Sequence, residues 1–295
     1  MSEAVAAARG QVTLREAEPR DAAPCAQIIF DAFGAIDDHY RFERGFPALE
    51  VATALIDALI PHPMVWGVVA EVDGRIVGSN FLDERGPIRG VGPITVAPEE
   101  QNSGVGRELM HAVLERANGA TGVRLLQDAF HMRSLSLYES LGFDVKEPLA
   151  LVTGKPASGA DPGVEVRPLE GRDLDECEAL CMQVHGYERT NELRDVTQAF
   201  APMVAVRDGR IVAYAATVTS WQANYGVAER EEDMQALLRG AAAAVESPLA
   251  FLVPLRSGLF RWCVEERLRL VKPMNLMALG EYRDPRGSWF PSAVY

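Results

Sequence analysis

Residues Val91 to Asn118 read VGPITVAPEEQNSGVGRELMHAVLERAN, and the reading of this stretch decides the fold. Ile94, Thr95 and Val96 form a β-branched run that Pro98 ends, so a strand is expected to stop there with its last backbone groups unpaired. Gly104 and Gly106 follow. From about Val105 the residues Val105, Leu109, Ala112, Val113 and Ala117 recur at helical spacing, with Arg107, Glu108, Glu115 and Arg116 on the other face. That pattern predicts an amphipathic helix packed on a sheet.

The turn from Gln101 to Arg107 offers backbone N–H groups with little side-chain cover at a helix N-terminus. Unpaired donors and the helix dipole favour an anion there, and phosphate is the natural guest. Two familiar phosphate motifs do not fit: Gly-x-Gly-x-x-Gly would need glycine in place of Leu109, and no Gly-Lys-Ser/Thr follows. The segment resembles the acetyl-coenzyme A signature of the GNAT acetyltransferases, Gln/Arg-x-x-Gly-x-Gly/Ala, through Gln101, Gly104 and Gly106 behind the strand and Pro98. A glycine turn that merely joins strand to helix is the plain structural reading of the same residues.

Working outward, Val12 to Arg15 alternate like a strand. Pro19, Arg20 and Asp21 open a helix with Ala23, Ala26, Ile29, Phe30 and Phe33 on its apolar face. Gly34 to Pro47, GAIDDHYRFERGFP, breaks the periodicity and reads as a loop dense in aromatics and charge, followed by a helix over Ala48 to Ile60. Val65 to Leu82 reads as two strands joined at Asp73-Gly74. Beyond Asn118, Val123 to Gln127 reads as a strand, Ser134 to Leu141 as a helix and Phe143 to Val152 as a strand containing Pro148. The order βααβββαβαβ is that of a GNAT domain. SLSLYESLGF, with Ser134, Leu137, Tyr138, Gly142 and Phe143, resembles the family's second motif, Asn-x-x-Ala-x-x-Leu-Tyr-x-x-x-Gly-Phe. His131 stands where that motif usually has asparagine.

The chain then begins again. Residues 154–163, GKPASGADPG, read as a linker. Val164, Val166, Arg167, Arg172, Asp173 and Cys177 repeat Val12, Leu14, Arg15, Arg20, Asp21 and Cys25 at a constant offset, and DGRIV at Asp208 to Val212 repeats Asp73 to Val77. Two copies of one fold are expected. The fold class is α+β: two tandem GNAT domains, each a mixed, mostly antiparallel sheet flanked by helices, over 1–153 and 164–295. The second copy lacks the coenzyme motif. Before its helix Asp233 to Val245 stands NYGVAEREE, whose glutamates would repel pyrophosphate. Setting Lys272 against Lys146 puts Val264 opposite Tyr138 and Leu268 opposite Gly142. The tail RDPRGSWFPSAVY is too rich in aromatics and proline for a free end and is expected to dock.

At 295 residues and 48% hydrophobic content the chain can bury a sizeable core. MSEAVAAARG has no apolar stretch fit for a signal peptide and no run approaches a membrane span, so a soluble, cytoplasmic protein is expected. A net charge of −13 without clustered Lys and Arg argues against nucleic acid and mildly favours a cationic substrate. Cys25, Cys177, Cys181 and Cys263 read as buried thiols, and no metal site is expected. A homodimer is an open alternative for the assembly.

The resemblance implies transfer of an acetyl group from acetyl-coenzyme A to a primary amine of a small, cationic acceptor, by direct attack on the thioester. It implies coenzyme contacts along Ile94, Thr95 and Val96, through Gln101, Asn102, Ser103, Gly104, Val105, Gly106 and Arg107, and at His131 and Ser134. Tyr138 matches the family's usual proton donor to the departing thiolate; a core aromatic is its plain alternative. No motif identifies the base, for which Glu71, Asp128, Asp37, Asp38, His39, His131 or a water chain are candidates. A non-catalytic acyl-coenzyme A binding or sensing protein is the second reading.

Overall fold

The two DGRIV segments fold alike. Asp73 and Gly74 have φ of 52° and 74°, and Asp208 and Gly209 repeat them at 51° and 75°. Positive φ at both central residues matches a two-residue turn to the twist of its strands, and Asp and Gly are the residues that tolerate it. The computed structural model describes residues 11–293; MSEAVAAARG, expected to hold no signal peptide, and the last two residues of the tail lie outside the described residues.

The first half carries β1 (Thr13–Glu16), α1 (Ala22–Tyr40), α2 (Leu49–Leu59), β2 (Val65–Val72), β3 (Arg75–Asp83), β4 (Ile88–Val91) and β5 (Thr95–Val96), then α3 (Val105–Arg116), β6 (Gly122–Asp128), α4 (Met132–Ser140) and β7 (Asp144–Gly154). The second half carries β8 (Glu165–Pro168), α5 (Leu174–His185), α6 (Thr190–Ala199), β9 (Met203–Arg207), β10 (Arg210–Ala215) and β11 (Gly226–Ala228), then α7 (Glu231–Ala244), β12 (Leu249–Pro254), α8 (Gly258–Glu265), β13 (Arg269–Gly280) and β14 (Ser288–Phe290). Up to β13, the second half follows the βααβββαβαβ order. By compactness the described chain falls into two units, one of residues 11–82 with Pro93–Asn118, the other of Asp83–Gly92 with residues 119–293.

In the first unit β1 runs antiparallel to β2, with Thr13 opposite Glu71, and β5 runs antiparallel to β3, with Val96 opposite Gly78. Cys25, Ile29, Ala52, Ile56, Val69 and Phe81 form its apolar core, contributed by α1, α2 and the strands. Two expectations are corrected here. Gly34 to Pro47 is not a loop throughout, because α1 continues to Tyr40 and ends at Arg41 in the left-handed region, φ 61°. Asp37 is buried within this last turn and accepts the Gly45 backbone N–H at 2.9 Å, so its acidity serves the helix end. The strand expected to run into the glycine turn is broken: Val91 closes β4, Gly92 follows at φ 134°, and Pro93 and Ile94 lie outside any strand before β5. A proline lacks the N–H that a continuous ladder would need.

In the second unit one sheet runs β4-β6-β13-β7-β12 and the other β14-β11-β10-β9-β8. β4 and β6 run parallel, β13 is antiparallel to both β6 and β7, and β12 is antiparallel to β7. Strands of the two halves therefore alternate along β6-β13-β7-β12. Successive residues of β7 and β12 face opposite sides of the sheet. Leu149, Leu151 and Leu252 join one core with Leu180, Val184 and Leu193 of α5 and α6. Val152, Phe251 and Val253 join another with Met234, Leu237 and Ala241 of α7. The tail docks as expected: β14 pairs with β11, and Phe290 lies 5.0 Å from the Phe251 ring. A Cβ at Gly226 would stand 2.3 Å from the Phe290 ring, which accounts for that glycine.

Candidate active site

In the first unit the glycine turn is built as a helix opening. Gly104 caps α3 at φ 97°, and Asn102 is also left-handed at φ 66°. Asparagine and glycine are the residues that adopt this conformation at least cost. Nothing lies within 4 Å of where a Gly104 Cβ would stand, so the glycine answers to backbone conformation and leaves the surface bare. The Gly104 carbonyl accepts from Arg107 and Glu108 N–H at 2.9 and 3.1 Å, starting the helix ladder. Val105 and Gly106, at the first two helical positions, have no carbonyl within the helix to bond, and their N–H groups carry the positive end of the helix dipole.

The loop before the turn is braced from within. Gln101 donates from Nε2 to the Val96 carbonyl at 3.3 Å, and the Ser103 hydroxyl donates to the Glu100 carbonyl. Ala97 N–H reaches the Val77 carbonyl at 2.8 Å. Thr95 is buried, its hydroxyl 3.5 Å from that of Ser79. The Val96 carbonyl is thus occupied by Gln101, where the sequence pattern left the strand end unpaired. Ile94 precedes the strand.

The remaining site residues lie in the second unit, on α4. His131 caps the helix, and its Nδ1 is 3.0 Å from Ser134 Oγ, which donates to the His131 carbonyl at 2.9 Å. Gln127, at the end of β6, donates from Nε2 to the same carbonyl at 3.0 Å and to Ser134 Oγ at 3.1 Å. Burial first, and the Arg133 charge second, lower the His131 pKa against an opposing pull from Asp128. Tyr138 is only 7% exposed and meets Phe143 edge-on at 6.3 Å. Burial, with the charge of Asp128 adding to it, pushes its phenol well above the ordinary range.

Most of the candidate bases are engaged elsewhere. Glu71 accepts from Arg15 at 2.6 and 3.0 Å, Asp38 is paired with Arg44, and Asp37 binds Gly45. His39 packs edge-on against Tyr40. Asp128 lies 2.9 Å from Lys272 Nζ, whose ammonium sits over the rings of Phe130 and Trp221. Burial pushes the thiols up, to about 11 at Cys25 and about 12 at Cys263, so they are poor nucleophiles. A cleft in the second unit is lined by Asp83, Arg85, Tyr187, Arg189 and Glu192, where Arg85 is held by Asp83 and Asp195 and Arg189 by Glu192.

Sequence reading did not find Gln127, Lys272 or Asn275 as partners of α4 and β6. Gln127 and Asn275 each interrupt an apolar strand, VRLLQ and MNLMALG, and a polar residue in such a run must find a partner when buried. Pairing across β6 and β13 supplies it: Asn275 stands opposite Gln127 and donates to it at 2.9 Å.

The second half offers no counterpart to the glycine turn. Arg230, in extended conformation, caps α7, and the first turn carries Glu231, Glu232 and Asp233. Asp233 is fully buried and takes Arg207 and Arg230, while Glu231 accepts the Gly258 N–H at 2.6 Å. The N-terminus of α7 is thus surrounded by its own carboxylates.

Residues 64–145 match the acetyltransferase (GNAT) domain model. No curated protein sequence matches the chain. Among solved structures, a candidate acetyltransferase from Pyrococcus horikoshii is similar over 94% of both chains, with a TM-score of 0.73 at 15% identity. A GCN5-related N-acetyltransferase from Sphaerobacter thermophilus is similar over 94% of this chain and 98% of its own, at TM-score 0.63 and 16% identity. One from Anabaena variabilis follows at TM-score 0.61 and 9% identity, over 91% and 72%. At such identities the likeness speaks for the fold, and it extends over both halves. Residues 64–145 therefore form a GNAT acetyltransferase domain, set in a chain with the tandem architecture of two GNAT-like halves.

Proposed function

We propose that the chain is an N-acyltransferase that moves an acetyl group from acetyl-coenzyme A to a primary amine, with a small cationic molecule as acceptor. The observation that carries this reading is the head of α3, where Gly104 at φ 97° leaves a bare turn beside unpaired helix N–H groups. A pyrophosphate is the ligand such a turn favours. In this reading residues 1–153 bind the coenzyme and carry the chemistry, 154–163 link, and 164–295 shape the acceptor side. The net charge of −13 favours a cationic acceptor.

The chemistry needs a held thioester, a neutral amine and a proton for the departing sulfur. As the amine nitrogen bonds to the carbonyl carbon, the carbon–sulfur bond breaks, the sulfur takes the Tyr138 hydroxyl proton, and the proton that the nitrogen gives up passes through solvent to restore the phenol. A phenol is protonated at neutral pH, as a donor must be, while burial raises its pKa and works against the transfer. The N–H groups of Val105 and Gly106 and the turn around them supply the anion contacts, and the β5 backbone aligns the pantetheine arm.

The second reading, a non-catalytic acyl-coenzyme A binder or sensor, draws on Tyr138, which packs on Phe143 as a core aromatic would. Thiol release from acetyl-coenzyme A, followed with a panel of primary amines, decides between them. Release that depends on the amine supports transfer. Calorimetric binding without release at any amine supports the sensor and overturns transfer.

A further inference from the structure

β7 and β13 hold the same place in their halves, each the last strand of the repeated order, and β6 and β12 correspond in the same way. In neither half does this last strand lie beside the strand before it: β13 stands between β6 and β7, and β7 between β13 and β12. The alignment that sets Lys272 against Lys146 makes Asn275 the counterpart of Leu149 and Met274 the counterpart of Pro148. Across the β7–β13 pair Leu149 stands opposite Met274 and Pro148 opposite Asn275, so exchanging the halves carries one pair onto the other. The outer pairs agree. Gly154 closes β7 at φ 142° opposite Leu249, the first residue of β12, and its counterpart Gly280 closes β13 at φ 79° opposite Gly122, the first residue of β6. Two copies of one fold meet in this way about a two-fold axis, where one surface faces itself. All four strands lie in the second unit.

We propose that this seam is a recognition surface between the halves: each takes the other's last strand into the place beside its own, and the two bind one another without need of the linker. Leu149, Val152, Phe251, Leu252, Leu276 and Met277 are fully buried there, as in permanent interfaces that resemble a core cut in two. Polar contacts fix the register. Asn275 donates to Gln127 at 2.9 Å, Lys272 lies 2.9 Å from Asp128, and Arg256 donates to Glu147 at 2.7 Å, each joining the second half to the first. A slip of one residue would lose them and turn every side chain to the wrong core. The start of the linker is pinned to the second half, since Lys155 Nζ donates to the Val245 carbonyl at 2.6 Å and Ser158 N–H to Glu266 at 2.8 Å. Gly159 and Ala160 beyond it are exposed, and a Cβ at Gly159 would meet nothing within 4 Å. The linker there serves to keep the halves at high effective concentration. Recognition of this kind is independent of what the first half binds or transfers.

Cutting the full chain tests it. A protease site set between Gly159 and Ala160 is cleaved in the folded protein, the thermal midpoint of the uncut variant serving as the control for folding. The two pieces are expected to elute together as a one-to-one complex on dilution to about 1 µM, with the β7 and β13 amides as protected from hydrogen exchange as before cutting, and to part only in denaturant. Separate elution, aggregation on cutting, or loss of protection at β7 or β13 overturns the proposal. Co-expression of residues 1–159 with 160–295 gives the answer without an inserted site: a soluble one-to-one complex is expected, and pieces that are insoluble or do not purify together overturn it.

Discussion

Arg167 grips Asp173 with two hydrogen bonds, Nη1 to Oδ2 at 2.7 Å and Nη2 to Oδ1 at 2.9 Å, and Arg15 grips Asp21 in the same way at 2.6 and 2.9 Å. In each copy the same aspartate Oδ2 also accepts the N–H of the residue three positions earlier, Glu170 at 2.7 Å and Glu18 at 2.8 Å. A fork matched to a carboxylate and a capped turn recur together, tying strand to helix in both halves. Asp173→Ala is expected to lower stability by about 2–4 kcal/mol, since it strips a buried acceptor from the Arg167 guanidinium and the Glu170 N–H. Asp173→Asn should cost less, because it keeps the acceptor for Glu170. Urea unfolding measures both, and an unchanged midpoint in the alanine variant would show the pair to be idle.

Acid should loosen the second unit by way of His185. Its ring is buried between Tyr187 and Trp289, and burial first, then the Arg189 charge, lower its pKa to about 3. The folded value lies below the unfolded one of about 6.5, so the unfolded chain takes up the proton first. The stabilisation is complete above about pH 6.5 and is lost progressively as pH falls towards about 3, by a few kcal/mol at most. Asp21 and Asp173, whose pKa values their arginines depress, act in the same direction at lower pH. His185→Phe should flatten the slope of unfolding free energy between pH 6.5 and 4. An unaltered slope would place the acid sensitivity elsewhere.

Substitution at Gly104 should separate folding from binding. An alanine Cβ meets nothing within 4 Å, so Gly104→Ala is charged only with the left-handed backbone, about 1–2 kcal/mol. Gly104→Leu adds bulk at the anion turn and is expected to weaken acetyl-coenzyme A binding by more than about tenfold. Calorimetry on the unaltered chain should give a stoichiometry near one, since α7 presents carboxylates where α3 presents glycine. Full affinity in the leucine variant would reduce the turn to a connector.

Cutting the chain after residue 155 removes β13 and β12, leaving β6 and β7 with unpaired inner edges. Exposed edges of apolar strands recruit other chains. The fragment is expected to be insoluble or to exchange its β6 and β7 amides rapidly, as hydrogen exchange would show. A monomeric fragment with protected amides there would mean that the first half closes its sheet alone.

Tyr138→Phe keeps the ring against Phe143 and removes one hydroxyl. If Tyr138 protonates the leaving thiolate, turnover should fall by roughly a hundredfold with coenzyme affinity nearly unchanged. Turnover within about a factor of two of the original at every pH would return Tyr138 to a packing role.

Local rules decided much of this protein from the sequence alone. The DGRIV turns, the opening of α3 at Gly104 and the docking of the aromatic tail follow from backbone conformations and apolar patterns within a few residues, and those act wherever the segment finds itself. The run of α1 through Asp37 and Asp38 was illegible because a buried carboxylate bonded to Gly45 looks in sequence like solvated loop charge. Strand order lay further out of reach. The placement of β13 between β6 and β7 depends on pairing between residues more than a hundred positions apart, and alternating apolar residues say that a strand has two buried faces without saying which strand lies beside it. For the same reason Asn275 could not be tied to Gln127 until tertiary structure brought a polar group of the second half onto the sheet of the first.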